Sequence, residues 1–307
     1  MKGKILIADA LHPVFASRSR SMGYEVDDLP GITRQEVLEC IAGYDGIAIR
    51  TKFKMDAELI GAGTKLRFIA RAGAGLDNID EQAARARNIT LLNAPEGNMD
   101  AVGEHAMGML LSLMNNLRQA DAGVRQGVWD REGNRGYELK GRTVGIIGYG
   151  FMGQSFARKL SGFGVRVLAY DKYKTGFSDN FAQEVSMEEI VRQTDVLSLH
   201  IPLTPETRQM VDDEYLFHFR KPLFFINTAR GEIVNTQSVL KAIETGKILG
   251  AGLDVLETEK FPALSAEPWY EALRSNDRVL LSPHVGGWTF ESYYKISEVL
   301  AEKLERL

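Results

Sequence analysis

The chain has 307 residues, of which 37 are Lys or Arg and 41 are Asp or Glu, giving a net charge of −4, and 44% are hydrophobic. That balance leaves intrinsic disorder and a strongly basic, nucleic-acid-binding face without support. The single cysteine, Cys40, excludes an intrachain disulfide and any multi-thiolate metal site within one chain.

At the N-terminus, Ile5-Leu6-Ile7-Ala8-Asp9 is a short apolar run closed by an acid, read as a first strand and not as a signal peptide. With the lone cysteine it points to a cytoplasmic protein. Strands are predicted at Lys4–Ala8, Gly46–Arg50, Arg67–Arg71 and Ile89–Leu92, with helices such as Thr33–Ile41 and Asp80–Arg87 between them. This alternation is the mark of a parallel α/β sheet. Val102, Ala106, Met109, Leu113, Leu117, Ala120 and Val124 then recur every three or four residues, which predicts one continuous amphipathic helix closing near Gly127. The longest nearly apolar stretch, Ala106 to Met114, is far short of the roughly 18 residues needed to cross a membrane, so none is expected as a partner.

From Gly141 the alternation restarts, with strands at Arg142–Ile147, Arg166–Tyr170, Val196–His200, Leu223–Asn227, Leu249–Val255 and Arg278–Leu281, and a terminal helix over Phe290–Leu307. Six strands suit a doubly wound dinucleotide-binding domain. Gly148-Tyr149-Gly150-Phe151-Met152-Gly153 follows the first of them directly and opens a helix. In such a turn Gly148 permits the tight bend, Gly150 lets a pyrophosphate approach the backbone, and Gly153 lets helix and strand pack closely. The N–H groups of Phe151 and Met152 would meet the anion. Asp171, eighteen residues after Gly153, ends the next strand. A carboxylate there accepts both ribose hydroxyls and repels a 2′-phosphate, favouring NAD over NADP, although Lys172 or Lys174 could swing toward a phosphate.

Three later segments complete a pattern: Asn227-Thr228-Ala229-Arg230-Gly231, Gly252-Leu253-Asp254-Val255-Leu256-Glu257-Thr258-Glu259 and Ser282-Pro283-His284-Val285-Gly286-Gly287. With the glycine turn and Arg71-Ala72-Gly73-Ala74-Gly75-Leu76-Asp77, the chain resembles the D-isomer-specific 2-hydroxyacid dehydrogenases along essentially its whole length. Within them it is most similar to D-3-phosphoglycerate dehydrogenases of the short form, since nothing follows Leu307. The resemblance implies an α/β fold of two parallel-sheet domains, a Rossmann-type NAD-binding domain (96–283) inserted into a flavodoxin-like substrate-binding domain (1–95 and 284–307). It also implies a homodimer paired through the helix near 99–126.

By the same resemblance, Arg230 would hold the 2-oxo-carboxylate and polarise the carbonyl. His284 would serve as general acid in reduction and base in oxidation, and Glu259 would hydrogen-bond it and favour the imidazolium. Glu257, two residues earlier, competes for that role, but the resemblance implies a glutamate five residues after Asp254, which favours Glu259. Thr228, Asp254 and His284 are expected at the cofactor, Asp254 facing the nicotinamide amide. The N–H groups of Ala74 and Gly75 would form an anion nest for the substrate carboxylate. Arg50 and Arg71 end strands that would emerge at one sheet edge, where the pair suits a phosphate at the far end of a three-carbon acid.

No metal is expected: Glu104-His105 lacks the neighbours of a zinc helix, and the other histidines have no ligand spacing. The implied activity is NAD-dependent interconversion of a 2-hydroxy and a 2-oxo acid, with 3-phosphoglycerate, and so serine biosynthesis, first. The alternatives are a glyoxylate, hydroxypyruvate or D-lactate-type reductase and, in another class, an NAD(H)-sensing corepressor-like protein, against which the lack of a disordered extension argues. Trp288 stands where the resemblance implies a small residue.

Overall fold

The apolar runs of the sequence lie in two all-parallel sheets. The computed structural model describes residues 2–307, which divide into one unit of residues up to 99 with 288–307 and another of residues 100–287. Both divisions fall four residues beyond the boundaries expected from the sequence.

The first unit carries β1 (Gly3–Ile7), α1 (Pro13–Ser21), β2 (Tyr24–Asp28), α2 (Arg34–Cys40), β3 (Gly46–Ile49), α3 (Ala57–Ala62), β4 (Phe68–Arg71), α4 (Glu81–Ala86) and β5 (Thr90–Asn93). Its sheet has the order β2-β1-β3-β4-β5, the flavodoxin-like arrangement. Side chains alternate between two cores. Ile5, Ile7, Ala48, Phe68 and Ala70 pack on one face, while Leu6, Ala8, Ile47, Ile49 and Ile69 pack on the other. Burial on both faces is why these strands read as unbroken apolar runs. The Thr33 capping box with Glu36 and the Asp80 cap start α2 and α4 where the sequence placed helices. β2 and α1 escaped the sequence reading. β2 is an edge strand of half-exposed acidic residues, and the Ser-Arg repeat of α1 shows little apolar period although Phe15 and Ala16 are buried.

The helix expected over 99–126 is instead two helices, α5 (Pro95–Met114) and α6 (Leu117–Arg125). Asn115 Nδ2 donates to the Leu111 carbonyl at 3.0 Å, and Asn116 adopts a left-handed φ of +50° while its side chain reaches the Arg135 carbonyl. Asparagine side chains that compete for backbone groups end a helix despite continuous apolar spacing.

In the second unit follow β6 (Thr143–Ile147), α7 (Phe151–Lys159), β7 (Arg166–Tyr170), β8 (Gln183–Glu184), α8 (Met187–Gln193), β9 (Val196–Leu199), α9 (Asp213–His218), β10 (Leu223–Asn227), α10 (Thr236–Glu244), β11 (Ile248–Leu253), α11 (Ala263–Ala266), α12 (Tyr270–Arg274) and β12 (Val279–Leu281). The final helix, α13 (Phe290–Glu305), belongs to the first unit and packs Ile296, Leu300 and Leu304 into its core. The second sheet runs β12-β11-β10-β9-β6-β7-β8. Counted from β6 this is the doubly wound order 3-2-1-4-5-6 with one strand added. The added strand is β12, and the one strand of this sheet that the sequence does not predict is the two-residue β8, third in that order. Met107, Met109 and Met114 lie in the core with Ile146, Phe224 and Ile226.

Candidate active site

The tightest local geometry of the second unit is at its first turn. Gly148 has φ +91°, and a Cβ there would fall 2.5 Å from the His200 carbonyl oxygen; one on Gly153 would fall 2.1 Å from the Gly148 oxygen. Both glycines are required by packing. Gly150 is different, since a Cβ on it would meet nothing within 4 Å. Open space beside a helix start without a side-chain cap fits a pyrophosphate held by the N–H groups of Phe151, Met152 and Gly153. Tyr149, between the glycines, is fully buried; its hydroxyl donates to Asp179 at 3.0 Å and its ring stacks on Phe177. That tie across the turn was not read from the sequence.

Asp171 follows β7 and lines an open cavity of about 580 Å³ with Tyr170, Lys172, Lys174, Ser178 and Glu184. Its Oδ2 accepts the Tyr149 N–H at 2.9 Å and its Oδ1 the Tyr173 N–H at 3.0 Å, so the carboxylate is fixed while each oxygen keeps a lone pair for a ribose hydroxyl. The neighbouring cations are engaged: Lys172 pairs with Glu206, and Lys174 donates to the Tyr149 carbonyl at 3.1 Å. NAD(H) should therefore bind at least about tenfold tighter than NADP(H), because a 2′-phosphate meets a fixed carboxylate with no released lysine beside it. Dissociation constants from nicotinamide fluorescence check this, and equal values would contradict it.

Arg230 lies just after β10, with extended backbone, between Ala229, whose carbonyl accepts from Nη1 at 2.6 Å, and Gly231. A Cβ on Gly231 would overlap the Leu256 carbonyl, 1.9 Å away, so this turn abuts the segment after β11. The Thr228 hydroxyl oxygen is buried without a hydrogen-bond partner, a polar atom that a cofactor could satisfy.

The two glutamates separate clearly. Glu257 accepts from Gln209 Nε2 and from the Thr236 N–H at the start of α10, both at 2.8 Å. Glu259 instead meets His284 Nδ1, at 2.9 and 3.1 Å from its two oxygens. A histidine that donates from Nδ1 to a carboxylate leaves Nε2 as the atom that exchanges a proton. His284 has a left-handed φ of +55°, and its N–H donates to the Asp254 carbonyl at 2.8 Å.

Asp254 follows β11 directly. Its buried carboxylate is occupied by its own chain: Oδ1 accepts from Ser282 Oγ at 2.6 Å and the Val285 N–H at 2.9 Å, and Oδ2 from the Gly286 N–H at 2.8 Å. Ser282 in turn accepts from His105 Nε2 at 2.9 Å. Burial alone would raise this carboxyl's pKa, but the bonds from His105, Ser282, Val285 and Gly286 together hold it well below the usual aspartate range. His105, weighed only as a zinc ligand in the sequence, and Ser282 belong to this hub. Among the described residues no group of three or more His, Cys, Asp or Glu could hold a metal ion.

In the first unit, β3 and β4 are parallel with Ile49 opposite Arg71, so Arg50 and Arg71 leave the same sheet end on adjacent strands. Asp9 Oδ2 fixes the backbone there by accepting the N–H groups of Arg50, Thr51 and Lys52 at 2.9–3.0 Å. Arg71 lies under the glycine loop, where a Cβ on Gly73 would fall 1.7 Å from Nη1. The loop carbonyls of Gly73 and Ala74 are held by the Ala94 N–H at 2.8 Å and Asn93 Nδ2 at 2.6 Å. Among the described residues no acceptor meets the N–H of Ala74 or Gly75. Trp288 covers the Arg50 guanidinium, 3.4 Å from its ring centroid.

A doubly wound domain with this turn, acid and His–Glu pair defines a dinucleotide-dependent oxidoreductase class. The chain belongs to the D-isomer-specific 2-hydroxyacid dehydrogenases: residues 107–286 match the family's NAD binding domain. It is 34% identical to a D-3-phosphoglycerate dehydrogenase of Methanocaldococcus jannaschii over 99% of its length, and spans 57% of that relative. It is also 34% identical to a hydroxypyruvate reductase of Thermotoga maritima, over 89% of this chain and 88% of the other. A glyoxylate reductase structure from Paecilomyes thermophila superposes with a TM-score of 0.87 at 27% identity, covering 99% and 95% of the two chains. Thus the chain spans little more than half the length of the phosphoglycerate dehydrogenases it resembles.

Proposed function

We propose that the protein interconverts a 2-hydroxy acid and its 2-oxo acid with NAD, and that the pair is 3-phosphoglycerate and 3-phosphohydroxypyruvate, the entry to serine biosynthesis. When bound, NAD(H) exchanges a hydride with C2 of the substrate. In reduction, protonated His284 gives its Nε2 proton to the C2 oxygen as the alcohol forms, and Glu259 at Nδ1 stabilises the imidazolium and fixes the ring. In oxidation the neutral ring takes that proton back. Arg230 pairs with the carboxylate through its planar fork and draws electron density from the carbonyl. Asp254 acts on the loop that carries His284, through Val285 and Gly286. The N–H groups of Ala74 and Gly75 serve as the carboxylate nest.

The observation that carries the substrate assignment is the register that pairs Ile49 with Arg71, which brings two arginines to one sheet end in the first unit. Arg50→Ala should lower kcat/KM for phosphohydroxypyruvate by roughly ten- to a hundredfold, the scale of one charge-assisted contact, with a much smaller effect on glyoxylate, which has no phosphate. Steady-state kinetics with both acids test this; equal losses would remove the phosphate assignment. The similarity to a hydroxypyruvate reductase over most of both chains supports the second reading, reduction of the unphosphorylated acid.

We further propose a cytoplasmic homodimer paired through the 99–126 segment, where α6 and the residues after it expose Leu117, Val124, Val128 and Trp129. Light scattering should give twice the chain mass. No helix among the described residues is long and apolar enough to cross a membrane.

A further inference from the structure

Trp288 is not used by the chemistry above, yet it is built into the first unit with care. Its indole covers the Arg50 guanidinium at 3.4 Å. Tyr293 meets the indole edge-on at 5.4 Å, and His12 meets Tyr293 at 5.5 Å. His12 is itself fixed, its Nδ1 accepting the Val14 N–H at 3.2 Å and its N–H donating to Ser297 Oγ at 3.1 Å. The stack therefore joins the start of α1, the end of β3 and the segment leading into α13.

Arg50 is held at both ends, its backbone by Asp9 and its side chain by Trp288. The neighbouring Lys52 is consumed, its ammonium donating to the carbonyls of Pro30 and Ile32. A guanidinium whose face is covered by an aromatic ring keeps its N–H donors free in its own plane, directed past the ring edge. Such a fork matches two oxygens of a phosphate, and the ring also removes water that would otherwise weaken the contact. A freely rotating arginine would have to surrender side-chain entropy on each binding event.

We infer that Trp288 is a specificity-determining residue that holds the Arg50 fork in position for a dianionic phosphate at the far end of the substrate. This rests on the reading of Arg50 given above as a phosphate ligand. The test compares kcat/KM for phosphohydroxypyruvate with kcat/KM for hydroxypyruvate in wild type, Trp288→Leu, Trp288→Phe, Arg50→Ala and the Trp288→Leu/Arg50→Ala double variant. The ratio of the two values is the readout, because loss of folded enzyme scales both substrates alike. Trp288→Leu should lower the ratio roughly two- to thirtyfold, through KM more than kcat, the scale of a cation–π contact. Trp288→Phe should retain most of it, and Trp288→Leu should add nothing in the Arg50→Ala background. If Trp288→Leu keeps the wild-type ratio while Arg50→Ala lowers it, the role of Trp288 is overturned and the phosphate reading stands. If wild type itself shows no preference for the phosphorylated acid, that reading fails and the inference falls with it.

Discussion

His284→Asn should lower kcat for reduction of the 2-oxo acid by roughly a hundredfold to ten-thousandfold, the usual scale for losing a general acid–base, while NADH binds nearly as before. Asparagine is the cleaner replacement because position 284 has a left-handed φ of +55°, which asparagine tolerates and alanine does not. It cannot titrate near neutrality, so the proton for the C2 oxygen has no donor. Stopped-flow turnover alongside NADH titration separates the two effects. A variant that keeps its kcat would exclude His284 as the proton donor, and one that loses NADH affinity in parallel would assign it to binding.

Asp254→Asn is the second large effect, and it falls on stability as well as on rate. The carboxylate accepts at both oxygens from Ser282, Val285 and Gly286. An amide of the same shape must point an NH2 group at one of those donors. One buried N–H or O–H then faces another donor, and the charge assistance of the remaining bonds is lost. A destabilisation of about 2–4 kcal/mol follows, measurable as a Tm lower by roughly 5–10 °C. The pH dependence has a fixed sign. The folded-state pKa of Asp254 lies below its ordinary value of 3.8, so its stabilisation is complete above that value and is lost as pH falls through the lower, folded-state one. The gap in Tm between wild type and variant should be flat from about pH 5 to 7 and narrow under stronger acid. A gap that stays constant into acid, or that is absent at neutrality, would contradict the role assigned to this carboxylate. Because Val285 and Gly286 follow His284 directly, kcat should fall too.

Much of this molecule is legible in its sequence because parallel strands buried on both faces are written as plain apolar runs, as in Ile5–Ala8 and Leu223–Ile226. β2 and β8 are not legible, one an acidic edge strand and the other two residues long, since neither has a buried face that forces apolar residues. The helix spacing from Val102 to Val124 is continuous while the helices are not, because Asn115 and Asn116 act on the backbone and not on the apolar stripe. Within the site, Gly148 and Gly153 are dictated by contacts under 3 Å, whereas Gly150 is matched by open space, a distinction no spacing rule contains. The two glutamates at 257 and 259 have the same side chain two residues apart, and only the family resemblance favours Glu259 in sequence. The fold separates them physically: the start of α10 takes the first and His284 takes the second. Asp254, Ser282 and His105 lie far apart in the chain and form their network only through tertiary contact. For Trp288, sequence suggested a residue out of place; its partner, Arg50, is 238 positions away and brought to it by the fold of the first unit.

The central claim is that the protein reduces a phosphorylated 2-oxo acid with NADH. Following NADH oxidation by the purified wild-type protein against phosphohydroxypyruvate, hydroxypyruvate, glyoxylate and pyruvate tests it most directly. The expected result is a kcat/KM for phosphohydroxypyruvate at least about tenfold above each of the others, the least that one charge-assisted phosphate contact supplies. A preference for glyoxylate or hydroxypyruvate would contradict the phosphate assignment, and no oxidation of NADH with any of the four would contradict the oxidoreductase reading itself.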